Sequence, residues 1–211
     1  EDFTETVVDA DYTHSDTVGN ISYATKDKTG TSMKTEDKDG KRVLRISQTA
    51  GAKDPFLNCT PAGGLAGAMG DMTKLSLTLR LAKGGDTCLQ SDFRLRVNGP
   101  DTCTTILSIA PDGTVYIVSH DEEYNAKREV ITTLTDEFQD IRVVVDFATA
   151  KVDAYVGQTK VLEGVDLWLP TTYRESGASV YLTSAKTYLF NWYVAANNSD
   201  SARSLLLGGI T

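Results

Sequence analysis

Apolar positions recur at every second residue through most of this 211-residue chain. In "TKLSLTLRLAK", Leu75, Leu77, Leu79 and Leu81 fall on one side and Lys74, Ser76, Thr78 and Arg80 on the other, as in a strand with one dry and one wet face. "DFRLRVN" repeats the pattern, with Phe93, Leu95 and Val97 inward and Arg94 and Arg96 outward. "GPD" then turns the chain into "CTTILSIA", and "PDG" turns it again into "TVYIVS". "FQDIRVVVDFATAKVDAYVGQTKVLEGV", residues 138–165, predicts a hairpin and a third strand: Ile141, Val143, Val145 and Phe147 face the core, "ATAK" turns, and Val152, Ala154 and Val156 return on the core side. Further strands are predicted in "FTETVVD", "ISYAT", "SMKTED", "RVLRISQ", "REVITTL", "ASVYLTSA" and "TYLFNWYVA".

Helical periodicity is nearly absent, and turn signals return about every 8 to 12 residues. The fold class this predicts is all-β, an antiparallel two-sheet sandwich. One domain is expected over residues 1–197, with 198–211, "NSDSARSLLLGGIT", as a tail that forms a C-terminal strand, the start of a linker, or an adhesive end able to add to a neighbour's sheet edge. "TPAGGLAGAMGDM", residues 60–72, reads as a long loop or a short helical turn.

Composition narrows the function classes. A formal charge of -8 disfavours nucleic-acid and anionic-membrane partners, whose binding relies on clustered Lys and Arg, and no apolar run approaches the length of a membrane-spanning helix. The chain opens on Glu1-Asp2-Phe3 without a signal-peptide pattern, as a mature secreted protein or an excised domain would. Cys59, Cys88 and Cys103 lack zinc-site spacing; Cys88 and Cys103 flank a strand and are the favoured disulfide pair, with the other pairings and three free thiols left open. Asn20, Asn58 and Asn197 each begin an Asn-x-Ser/Thr acceptor pattern, which matters only in a glycoprotein from a secreting eukaryote.

The order of "DGKRVLRIS", "DGTVYI", the residue 138–165 hairpin and "TYLFNWYVA" resembles the concanavalin A-like, laminin-G-like jelly-roll modules of extracellular carbohydrate-active and cell-surface proteins. The turn reads Tyr155-Val156-Gly157-Gln158, without the Asp usual there, and Phe190-Asn191-Trp192 stands where Asp-Asn-hydrophobic is usual. The resemblance implies a secreted or cell-surface location and a polysaccharide or glycan partner. Its members include lectins, lyases, hydrolases and adhesion modules, so the site must decide.

If their strands share one sheet, Arg80, Arg94, Arg96 and Arg142 gather on its open face beside Tyr155 and Tyr116, where guanidinium groups grip carboxylates or sulfates and rings stack on sugars. The alternative is a solvated face on which these arginines pair across strands with Asp146 and Asp153. Trp168, near a Pro-terminated loop, is the surface stacking candidate, and Trp192 reads as core. A structural calcium ion, as in many jelly rolls, has candidate ligands in Asp9, Asp11 and Asp16, or in Asp37 and Asp39 of "DKDGK", a stretch that turn formation also explains without an ion. For catalysis, "SHDEEYNAKRE" holds His120, Tyr124, Lys127 and Arg128, the parts of a lyase site and equally of an exposed hairpin tip. The sequence therefore favours a non-catalytic carbohydrate-binding or adhesion module, with a polysaccharide lyase or glycoside hydrolase, or an assembly subunit pairing through the tail, as alternatives.

Overall fold

A computed structural model describes residues 2–3, 11–12, 17–18, 21–25, 30–52, 57–61, 74–97, 103–169 and 188–211. Among them lie two eight-stranded sheets. The first runs β1 (Asp11–Tyr12), β4 (Thr31–Lys38), β5 (Lys41–Gln48), β16 (Arg203–Ile210), β7 (Lys74–Lys83), β12 (Gln139–Asp146), β13 (Lys151–Val156) and β14 (Thr159–Asp166) from edge to edge. The second runs β11 (Ala126–Thr133), β10 (Thr114–His120), β9 (Cys103–Ile109), β8 (Ser91–Val97), β15 (Tyr188–Val194), β6 (Leu57–Pro61), β3 (Ile21–Thr25) and β2 (Thr17–Val18). The strands named here pair antiparallel, as the hairpin turns predict.

The period-two pattern holds through β7, β10, β12 and β13. Leu77, Leu79, Leu81, Ile141, Val143, Val145, Phe147, Val152 and Ala154 are buried in one core with Phe93, Leu95, Val115, Ile117 and Trp192 from the other sheet. Burying such side chains between two layers is the main drive for the fold, at roughly 1.5–3 kcal/mol for each large apolar one. Trp192 stacks on Phe93 with ring centroids 5.1 Å apart, as a core tryptophan. Gly113 closes the β9–β10 turn at φ 91, where a β-carbon would also come within 2.7 Å of Lys83 Cε. The expected strands "FTETVVD" and "ASVYLTSA", and most of the 60–72 segment, lie outside the described residues.

Of the readings of residues 198–211, the structure shows the C-terminal strand, which belongs to the sandwich rather than to a linker. Residues 203–210 form β16, paired with β5 on one side (Leu205↔Ile46) and β7 on the other (Leu207↔Leu81). Leu205 and Leu207 enter the main core, while Leu206 packs on the opposite face with Val43 and Ala82 beneath Phe138. The run "LLL" is thus a strand buried on both faces, and both of its hydrogen-bonding edges are occupied within the chain, so it offers none to a neighbour.

Candidate functional site

The second sheet turns one face to the core and one outward. The register sets a straight row across the outer face: Val130, Tyr116, Ser108, Asp92 and Tyr193, contributed in turn by β11, β10, β9, β8 and β15. Adjacent members sit one strand apart, about 4.8 Å. Their outward direction follows from the inward one of their neighbours Val115, Leu107, Phe93 and Trp192.

The middle of the row is polar and ordered. Asp92 Oδ1 accepts from Ser108 Oγ at 2.7 Å, and Oδ2 accepts from Arg94 Nη2 at 2.5 Å. The Arg94 guanidinium lies 4.0 Å from the centroid of the Tyr193 ring, its Nε buried without a hydrogen-bond partner. Two strands beyond Asp92, Tyr116 carries the Arg128 guanidinium at 4.6 Å from its ring centroid. Two guanidinium–tyrosine stacks therefore stand on one face, with a single described carboxylate, Asp92, in the row between them. Stacking removes the flat side of each guanidinium from water and leaves in-plane N–H groups to donate.

Further along β10 on the same face, His120 stacks on Tyr124 (4.1 Å, 12°) and meets the edge of Trp168 at 6.4 Å. Asp121 holds this corner: its carboxylate accepts from Asn125 N at 2.7 Å and Asn125 Nδ2 at 3.0 Å, bonds that keep its pKa below the usual carboxylate value. The turn places Tyr124 at φ 63, a left-handed conformation rare outside glycine. Trp168 is half-buried, and its carbonyl accepts from Thr104 Oγ, tying the segment after β14 to the second sheet.

The expected arginine cluster is divided. Arg94 and Arg96 lie on β8 of the second sheet, whereas Arg80 and Arg142 lie on β7 and β12 of the first, with Tyr155 on β13. Alternation tells which side of a strand is wet but not which sheet the strand joins: β8 pairs with β9 and β15, and β7 with β12 and β16. The first sheet's outer face is instead laced with ion pairs, Lys74–Asp146 at 3.4 Å, Arg80–Asp140 at 3.9 Å and Lys160–Asp153 at 3.0 Å, close to the solvated-face alternative.

Other expectations fall out individually. Cys88 is a buried free thiol, so the Cys88–Cys103 bridge is not formed; it sits beside the start of β16, and burial pushes its pKa up to about 11. Asn197 is fully buried, its Nδ2 donating to Thr49 O at 2.9 Å and Ser201 O at 2.8 Å, so it braces the approach to β16 and is closed to a glycan in the folded chain. Asn58 lies within β6 between β15 and β3, and Asn20 lies outside the described residues. Asp9 and Asp16 are outside them as well, and Asp11 is placed only by its pairing with Lys34. Asp37 is bonded to Arg42 at 2.7 Å, and Asp39 takes the left-handed turn position at φ 52. Tyr193, Ser108 and Asp92 were missed as site residues; the signal for Tyr193 was its alternation with Trp192 along β15. A hollow of about 720 Å³ lies elsewhere, lined among others by Ser32, Ser47 and Ser204, with no ring on which a sugar could stack.

No protein-family model matches the sequence, and no curated protein matches it. Solved structures do. A glycoside hydrolase family 16 endo-glucanase from Bacteroides ovatus, in complex with an oligosaccharide, aligns over 100% of this chain and 98% of its own at 10% identity, with a TM-score of 0.54. The chain has the concanavalin A-like jelly-roll fold. Among the other jelly rolls, an alginate lyase of polysaccharide lyase family 7 is similar over 85% of this chain and 81% of its own (10% identity, TM-score 0.50). A sialidase matches over 91% of this chain with a TM-score of 0.58 and 9% identity, and there the chain spans 16% of the other's length. At these identities the likeness is one of fold, shared with carbohydrate-active proteins.

Proposed function

We propose that this chain is a non-catalytic glycan-binding module, with the outer face of the second sheet as its binding face and a preference for acidic polysaccharide. The observation that carries the reading is the cross-strand row with its two stacked pairs, Arg94–Tyr193 and Arg128–Tyr116, around Asp92. Sugars are bound by planar polar groups that share hydrogen bonds with neighbouring hydroxyls and by rings that cover their apolar faces. Asp92 and Arg94 supply the former already oriented, and Tyr116 and Tyr193 set the rings. The fold supports this reading, since structures with it include an endo-glucanase holding an oligosaccharide and lyases named for alginate. Two guanidinium groups against one carboxylate favour an acidic chain over a neutral one. Such polymers are met outside the cell, and we place the protein there.

The non-catalytic part rests on the same row. Hydrolysis of a glycosidic bond calls for two carboxyl groups roughly 5–10 Å apart. Asp92 is the one carboxylate in the row, and both its oxygens are engaged.

Titration calorimetry with alginate oligomers and with mixed-linkage glucan tests the reading. Binding of the acidic oligomer, weakened about 10- to 100-fold by Arg94→Ala, is expected, with no reducing ends or unsaturated uronates released. Absence of binding to either polymer overturns the module reading, and turnover overturns its non-catalytic part in favour of a lyase or hydrolase.

A further inference from the structure

Arg142, separated by the fold from Arg94, occupies a different chemical setting. It stands on the outer face of the first sheet, in register with Thr78 of β7 and Tyr155 of β13. The surrounding cations on this half of the sheet are matched: Lys74 by Asp146, Arg80 by Asp140, Lys151 by Asp166, and Lys160 by both Asp153 and Glu163. Arg142 makes no ion pair among the described residues. Its guanidinium instead lies over Tyr155, with Cζ 4.0 Å from the ring centroid, half-buried beside a hollow of about 250 Å³.

Thr78, Asp140, Arg142, Gly157 and Gln158 line that hollow. The β13–β14 turn is pinned over it, since Gly157 N donates to Asp140 O at 2.7 Å, which fixes Gln158 beside the guanidinium. A ring-stacked guanidinium keeps its edge for a planar or tetrahedral oxyanion, which it grips through paired N–H donors. Asp140 sets a second requirement. Its carboxylate already faces Arg80 and would repel a bare anion, yet it accepts readily from hydroxyl donors. A ligand that satisfies both carries an acid group and hydroxyls together.

We infer that the Arg142–Tyr155 hollow is a second binding site, taking the carboxylate or sulfate of an acidic sugar, on the sheet opposite the face proposed above. The ligand class is shared with that reading but the observations are separate. A chain with one acid-sugar site on each outer face would bridge two polymer strands.

The test is an NMR titration of the labelled full chain with glucuronate and, separately, with a galactose sulfate, against sodium chloride at matched ionic strength. The Arg142 Nε–H and the Gln158 side-chain amide are expected to shift with at least one of the two sugars and not with chloride, and the stronger ligand tells carboxylate from sulfate. Arg142→Met is expected to weaken binding about tenfold or more, and Arg142→Lys to restore only part of it. Gln158→Ala is the fallback variant if Arg142→Met perturbs the fold. Shifts equal to those in chloride, or unchanged affinity in both variants, overturn the inference. Repeating the titration in Arg94→Ala separates the two sites: a response at Arg142 that survives this change stands whatever becomes of the other face.

Discussion

At the scale of single residues, environment decides what each group can do. Cys88 is the plainest case: desolvation raises its pKa to about 11, so the thiol stays protonated and unreactive in the native chain. Peptide mapping after alkylation at about pH 8 is expected to find Cys88 unlabelled in native protein and labelled after denaturation. Asp153 is shifted the other way. The Gly164 amide at 2.8 Å, and then Lys160, hold its carboxyl below the usual range. The stability it contributes is complete above its unfolded pKa, about 3.9, and is lost as pH falls through the lower native one. Urea midpoints from about pH 5 to about pH 2 should therefore fall for the native sequence, and less steeply for Asp153→Asn. Asn197 joins the loop after Gln48 to the approach of β16 through four hydrogen bonds of its side chain. Asn197→Ala strands those partners and should cost about 2 kcal/mol or more by urea unfolding.

At the scale of elements, the alternation of leucines and valines made β7, β12 and β13 legible before any coordinate: Leu77, Leu79, Ile141, Val143, Val152 and Ala154 all point inward as expected. What alternation does not carry is the partner. A strand's dry face is a local property of its side chains, whereas sheet membership depends on pairing with distant segments, as when β8 meets β15. That is why the outward direction of Arg94 was readable and its separation from Arg142 was not. The site suffered most, because a binding face is made of neighbours from several strands. Centre and edge also differ in tolerance. Leu79, fully buried between Ile141 and Ile210 on adjacent strands, should lose about 2–5 kcal/mol on change to Ala. Val130, 55% exposed on edge strand β11, should change by less than about 0.5 kcal/mol when replaced by Thr; thermal unfolding measures both.

At the scale of the whole molecule, the two outer faces are unlike. The first sheet presents several ion pairs around Arg142, which makes none among the described residues, and part of it is roofed by Phe138, with Arg80 and Lys38 each 5.4 Å from the ring. Gly208 permits that roof, since a β-carbon there would come within 3.1 Å of the ring. The second sheet presents ring-backed arginines with little opposing charge. Among the described residues, ion pairs crowd the outer side of the first sheet, and the Arg94–Tyr193 and Arg128–Tyr116 pairs mark the second. "SLLLGGI" left strand, linker and adhesive end all open because three consecutive leucines break alternation, the mark of a strand covered on both sides.

The place of β16 between β5 and β7 governs how the protein comes into being. During synthesis those two partners emerge early, each with a bare rank of amide and carbonyl groups, and everything from β8 to β15 must leave the ribosome before the wedge that joins them exists. Until then the half-built layer is open to any passing chain, so output of intact protein should respond to chaperone supply and to slower, cooler expression.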